Sequence, residues 1–151
     1  MLLAAVGDTT YNVFLLLHIL SAMAAFAPAF AHPFLIAQSR ELDAEPRGRM
    51  LSYLVANGRR VYAPALIVTG IVGFGLAGLS DQAWKMSQTW LVIAFVAWVA
   101  MNGVLHAMVI PAERALSEGD EGAQKRADLG GAILSVLLLV MLYTMIFKPG
   151  I

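Results

Sequence analysis

The fold class is decided by residues 11–37, which read YNVFLLLHILSAMAAFAPAFAHPFLIA and contain no charged side chain. A helix of about 20 apolar residues crosses a hydrocarbon core about 30 Å thick, so this stretch is long enough to span a bilayer. Three further stretches qualify, at about residues 61–79, 89–110 and 129–147. We therefore predict an all-α fold, a four-helix transmembrane bundle that forms a single domain over residues 1–151.

The composition indicates that lipid solvates much of the chain. Hydrophobic residues make up 60% of the 151 residues and charged residues 13%, whereas a soluble domain has about 25% charged residues. The lipid bilayer is therefore the first expected partner, and a net charge of zero gives no indication of nucleic acid binding. The lack of cysteine excludes disulfides, thiolate metal sites and covalent c-type haem attachment.

Eight of the ten basic residues fall in two connections between the predicted spans. The first connection carries Arg40, Arg47, Arg49, Arg59 and Arg60, and the third carries Arg114, Lys125 and Arg126. Lys85 and Lys148 lie on the other side. The positive-inside rule then places both basic connections in the cytoplasm and both termini outside. We expect a multi-pass protein of the bacterial inner membrane.

The local structure of the basic connections has more than one interpretation. Residues 47–60 place apolar side chains at helical spacing, which indicates an interfacial helix or an extension of the second span, but the favoured interpretation is a basic turn. Residues 113–128 carry both charge signs and two glycines, which predicts a solvated linker. Pro28 and Pro33 predict a kink or a frayed end in the first span, with the freed carbonyls bonded to neighbouring helices.

The four predicted spans contain no Asp, Glu, Lys or Arg. This argues against a proton pump, an ion-coupled transporter or a charge-lined channel, because such proteins use ionisable groups within the membrane. In the second span, Thr69, Gly73 and Ala77 place small residues four apart, which predicts close helix packing. The polar residues of the spans that could bind a ligand or take part in a reaction are three histidines and Asn102.

His18 and His32 lie at the two ends of one narrow face of the first span, with small residues between them. Such a face admits a planar macrocycle or another helix. His106 shares a face with Asn102, which could orient its imidazole. At about 1.5 Å per residue, His32 and His106 lie near one depth and His18 lies farther out. This geometry favours His32 with His106 as ligands of one iron, and the alternative for each histidine is a structural hydrogen bond.

Two arginines stand where the second span begins, at the predicted inner boundary. Arg59 and Arg60 could pair with haem propionates, which need cationic partners near the interface. The alternative is that both arginines only set the topology.

A family pattern is visible in several short motifs: Leu17-His18-Ile19, Arg59-Arg60 before Pro64-Ala65-Leu66, Trp90-Leu91 and the terminal Lys148-Pro149. The chain resembles a family of small bacterial four-helix membrane proteins. It is more distantly similar to the HemJ-type protoporphyrinogen oxidases and to the membrane part of copper-resistance D proteins. This resemblance implies haem b, with His18 in the place of an essential first-span histidine. The membrane lysine that those oxidases use has no counterpart in the third span.

The leading hypothesis is a membrane protein that binds haem b or a porphyrin in a redox role. Its candidate ligands are His18, His32 and His106, supported by Asn102, Arg59 and Arg60. The alternative is a non-catalytic accessory subunit that packs against a larger respiratory or photosynthetic membrane complex. Self-association into a homo-oligomer is compatible with both hypotheses, and whether the protein is an enzyme is left open.

Overall fold

The computed structural model describes residues 5–151, which form six α-helices. They are α1 (Thr9–Ser39), α2 (Ala44–Asn57), α3 (Ala63–Gly78), α4 (Thr89–Val104), α5 (Ile110–Ser117) and α6 (Gln124–Phe147). A first π-helical turn, Gly58–Tyr62, joins α2 to α3, and a second, Leu105–Val109, joins α4 to α5. A short 3-10 turn, Glu121–Ala123, precedes α6.

The helices join into four continuous rods, each long and apolar enough to cross a membrane. The rods are Thr9–Ser39, Ala44–Gly78, Thr89–Ser117 and Glu121–Phe147. The first rod packs most extensively on α3 and the third on α6, while α1 also touches α6 and α3 touches α4. The prediction of an all-α bundle of four apolar helices is confirmed.

The contact between α1 and α3 is close because both helices present small residues there. Thr69 and Ala77 are buried, and a Cβ atom added to Gly73 would lie 3.1 Å from Cε1 of His18. Thr69 also donates a hydrogen bond from its hydroxyl to the Ser21 hydroxyl, at 3.0 Å. The small-residue ladder of the second span therefore packs a helix, as predicted.

Helix α1 continues through both of its prolines to Ser39, so the predicted frayed end is wrong. Proline has no N–H, so Pro33 cannot donate to the carbonyl of Ala29 as an ordinary helical residue would. That carbonyl instead accepts a hydrogen bond from Ser135 Oγ of α6, at 3.2 Å. The expectation that a freed carbonyl would find a partner on a neighbouring helix is confirmed at this position.

The first basic connection is helical, so the favoured interpretation as a basic turn is wrong. Helix α2 runs directly into the first π-helical turn and then into α3, as an extension of the second span would. Leu51 and Leu54 are buried in one cluster with Ala112 and Leu116 of α5. The apolar side chains at helical spacing in residues 47–60 therefore form a face that packs against α5.

Residues 110–117 are helical. The prediction that the third span ends at residue 110 and that a solvated linker begins at residue 113 is therefore wrong. The third rod continues past Pro111 through α5 to Ser117. Pro111 cannot donate to the carbonyl of Ala107, and the guanidinium of Arg126 donates to that carbonyl instead. Of this helical segment, Glu113 and Leu116 are buried.

The two ends of the bundle differ in chemistry. One end carries α2, α5, both π-helical turns and the arginine-rich connections, and we call it the basic end. At the opposite end, the Trp84 indole N–H donates to the Tyr11 hydroxyl at 3.0 Å, and Trp90 packs edge-on against Trp84. Lys148 Nζ lies 4.3 Å from the centroid of the Trp84 ring. Tyr11, Trp84 and Trp90 therefore cluster beside Lys148 at this end.

Candidate functional site

A buried histidine–carboxylate pair lies at the basic end, between α1 and α5. His32 Nδ1 lies 2.6 Å from Glu113 Oε1, and the two side chains are only 8% and 1% exposed. The two residues are 81 positions apart in the chain. The pair exists because α1 continues past Pro28 toward the basic end and the third rod continues past Pro111.

Each partner of this pair has a second polar atom that is buried and makes no hydrogen bond within residues 5–151. These atoms are His32 Nε2 and Glu113 Oε2. Buried polar atoms are nearly always paired, so each exception calls for an explanation. Because Nδ1 is engaged by the carboxylate, Nε2 is the imidazole atom that remains able to bond a ligand.

Tyr62 holds the imidazole from a third direction. Its ring lies edge-on to the His32 ring, with 5.4 Å between the centroids and 68° between the planes. Tyr62 ends the first π-helical turn, and insertions of this kind occur often at functional sites because they re-aim side chains. Tyr62 is therefore in contact with the buried pair through the His32 ring.

A cavity of about 310 Å³ adjoins the pair and is lined by residues of all four rods. Its volume is at the lower end of the range of about 300–1,000 Å³ that ligand pockets have. His32, Glu113 and Tyr62 supply polar groups, and the walls are mostly apolar. Among the wall residues are Ala25, Ala29, Leu66, Met101, Leu105, Gly131 and Ser135.

His18 does not take part in this site. Its Nδ1–H donates to the backbone carbonyl of Thr69 in α3, at 2.9 Å, and it is not among the residues that line the cavity. At about 1.5 Å per residue, the fourteen positions between His18 and His32 correspond to about 21 Å along the helix. The observed bond is the structural alternative that was open for this histidine.

His106 is exposed and lies in the second π-helical turn. Its Nδ1–H donates to the backbone carbonyl of Asn102 at 2.9 Å, while the Asn102 side chain donates to the carbonyl of Trp98. The imidazole is therefore oriented by Asn102, but through its backbone and not through its amide side chain. His106 lines a second cavity, of about 380 Å³, together with Arg59 and Arg114.

Three of the six predicted site residues line one of the two cavities. His32 lines the first and His106 the second, so the structure does not bring these two histidines to one centre. Arg59 accompanies His106, and Arg60 lines neither cavity. Within residues 5–151, no three His, Asp or Glu side chains form a group that could hold a metal ion. The ligand roles of these residues stay predictions.

Glu113 is the site residue that the sequence analysis misses. The predicted third span ends at residue 110 and so excludes Glu113, but the rod that continues this span runs to Ser117 and buries Glu113. A signal was available: Met101, Leu105 and Val109 are buried at intervals of four, and Glu113 is the next position in that series. Pro111 obscures the signal because proline commonly marks the end of a helix.

A family model described as "Predicted integral membrane protein (DUF2269)" matches residues 12–149. The chain belongs to this family. The matched segment contains every residue of the buried pair and of both cavities. No curated protein and no solved structure matches the chain. The similarity to HemJ-type oxidases and copper-resistance D proteins remains a resemblance of short motifs.

Proposed function

We propose that this integral membrane protein binds a flat, largely apolar ligand of the porphyrin class, with haem b as the first candidate, in the cavity beside His32 and Glu113. One observation carries the proposal: the buried pair joined at 2.6 Å, with His32 Nε2 left without a protein partner. A redox role follows from the same candidate ligand. No reaction is assigned.

The pair has the donor arrangement of a metal-binding histidine. Such histidines usually donate their other ring N–H to a carboxylate, which fixes the tautomer and the ring orientation. Haem iron needs only one or two protein ligands, so a single imidazole is sufficient. A site of this kind does not require three clustered His, Asp or Glu side chains, which residues 5–151 do not provide. Bound haem would supply one-electron chemistry, His32 would hold the iron, and Glu113 would orient His32.

The walls of the cavity support a flat ligand. Ala25 and Ala29 form a strip of small side chains on α1, and Gly131 and Ala132 lie across from them on α6. The contact between α1 and α6 is less extensive than that between α1 and α3. A planar molecule would therefore enter by separating α1 from α6, since little side-chain volume stands between them.

The residues fit a haem with one protein ligand and not the predicted pair of axial histidines, because His106 lines the other cavity. The propionates also need a different partner from the predicted Arg59 and Arg60, which do not line this cavity. Asp128 lines it and pairs with Arg40 at 3.1 Å. Arg40 does not line the cavity either, so no arginine is assigned to a propionate.

The test is a titration of haemin into protein purified in mild detergent, followed by reduced-minus-oxidised and pyridine haemochrome spectra. The wild-type protein should show a b-type spectrum near one haem per chain, and His32→Ala should lose it. His18→Ala and His106→Ala are matched controls that keep it. Glu113→Gln should bind about 10–100-fold more weakly, because it changes the group that orients the ligand.

Two results would contradict the proposal. A wild-type protein that binds neither haemin nor metal-free protoporphyrin would remove the porphyrin class. Unchanged binding by His32→Ala would remove the residue that carries the argument. The alternative function, an accessory subunit of a larger membrane complex, predicts instead a stable partner in native membranes, which the mass of the complex extracted in mild detergent would reveal.

We also propose that the basic end lies in the cytoplasm and that both termini lie outside. Eight of the ten Lys and Arg residues belong to the connections at the basic end, and the positive-inside rule applies to short connections such as these. In this orientation the His32–Glu113 pair lies toward the cytoplasmic side of the bundle.

A further inference from the structure

The second cavity has a different chemical character from the first. It is about 380 Å³ in volume and is lined by six residues: Arg59, Ala63, His106, Ile110, Pro111 and Arg114. Three of these are cationic or can become so, and the other three are apolar. No carboxylate lines it.

The two π-helical turns create this cavity by lying against each other. A Cβ atom added to Gly58, in the first turn, would lie 3.6 Å from Cγ1 of Ile110, which directly follows the second turn. This close approach places Arg59 of one turn beside His106 of the other. Arg114, one helical turn beyond Ile110, completes the cationic wall.

The cations of this wall are largely free to bind an anion. Arg59 forms no ion pair with a carboxylate of the described chain, in contrast to Arg40, Arg47 and Arg49. His106 uses Nδ1–H for the carbonyl of Asn102, so its Nε2 donates to a phosphate oxygen when the imidazole is protonated. Arg114 pairs with Glu118 at 2.9 Å, but both of those side chains are about 60% exposed, so this pair contributes little and can rearrange.

We propose that Arg59, His106 and Arg114 bind a phosphate group, and that its source is the headgroup of an anionic phospholipid. Arginine forks match phosphate oxygens in two-point hydrogen bonds, and basic pockets between transmembrane helices bind anionic headgroups. The apolar residues of the same cavity, Ala63, Ile110 and Pro111, suit the glycerol and upper acyl region of a lipid. A soluble phosphate anion would gain nothing from them.

This proposal does not rest on the porphyrin site, because the two cavities share no lining residue. A lipid here would touch both π-helical turns, through Arg59 and His106.

The experiment measures how soluble short-chain phosphatidylglycerol raises the unfolding temperature of the purified protein in mild detergent at fixed ionic strength. A ligand that binds the folded state raises that temperature as its concentration passes Kd. Parallel titrations use short-chain phosphatidylcholine and inorganic phosphate. Arg59→Gln and His106→Gln should each weaken phosphatidylglycerol binding at least fivefold, since each removes a charge-assisted bond to the phosphate.

Arg60→Gln is the matched control, because it removes the same charge from the next residue in the chain. The Arg60 side chain does not line the cavity. This variant should leave the phosphatidylglycerol affinity within about twofold of wild type, and phosphatidylcholine should bind more weakly than phosphatidylglycerol. Equal losses for Arg59→Gln and Arg60→Gln would overturn the site in favour of general surface charge. Stabilisation by inorganic phosphate but not by phosphatidylglycerol would overturn the lipid source, and no stabilisation by either would overturn the proposal.

Discussion

The buried pair predicts an asymmetric double-mutant cycle. His32→Phe keeps an aromatic ring in place but leaves both carboxylate oxygens of Glu113 without a partner, in a side chain that is 1% exposed. Removing one partner of a buried ion pair costs about 3–5 kcal/mol. Glu113→Leu leaves the Nδ1–H of His32 without an acceptor, beside an Nε2 that has no partner in the wild type either. The one newly unpaired donor costs about 1–3 kcal/mol.

The double variant removes both orphaned groups at once. Replacing a buried polar pair by apolar residues of similar volume is often neutral, so the double variant should lose only about 1–2 kcal/mol from imperfect packing. The singles together should cost clearly more than the double. We expect a coupling free energy of at least about 2 kcal/mol, well above the few tenths found for independent sites.

The assay is reversible unfolding in mixed micelles, in which tryptophan fluorescence follows increasing denaturing detergent. A cycle between His18→Phe and Glu113→Leu is the matched control. His18 bonds a backbone carbonyl of α3 and lies elsewhere in the bundle, so this second cycle should be additive within about 0.5 kcal/mol. Additive effects in the His32–Glu113 cycle would refute the argument that the two side chains satisfy one another.

Two further predictions concern helix packing and orientation. A Cβ atom at Gly70 would lie 2.2 Å from the Trp98 ring, whereas one at Gly78 meets nothing within 4 Å. In the same assay, Gly70→Ala should lower the free energy of unfolding by about 1–3 kcal/mol, and Gly78→Ala should leave it unchanged. The chain has no cysteine, so single-cysteine variants report topology directly. In intact cells a membrane-impermeant maleimide should label Ser87→Cys but not Ser117→Cys, and the reverse pattern would place the basic end outside.

The spans could be predicted from the sequence because hydropathy and length are sufficient for a chain dissolved in lipid. The ends of the spans at the basic end could not be predicted. There, α2 and α5 are amphipathic helices that cover each other through Leu51, Leu54, Ala112 and Leu116. Each helix alone has the composition of a solvated connection. Only the contact between them, two spans apart in the chain, makes either one part of the bundle.

The prolines show why tertiary contacts decide where these helices continue. Pro33 and Pro111 each remove the N–H that would bond a carbonyl one turn earlier. In both cases a side chain of the fourth rod supplies the donor: Ser135 bonds Ala29, and Arg126 bonds Ala107. Ser135 is more than a span away from Pro33 in the sequence, and Arg126 is separated from Pro111 by a connection. A rule based on local sequence therefore ends each helix too early.

The candidate site follows the same logic, and half of it could be predicted. A histidine on an apolar face stands out in the sequence, so His32 was a candidate from the start. Glu113 did not stand out, because a carboxylate after a proline is ordinarily solvated and a charged group is rarely buried without a partner. Its partner is 81 residues away on another rod, and neither residue alone indicates that the other is close. Burial of Glu113 is a property of the pair, so it is decided only when the first and third rods are brought together.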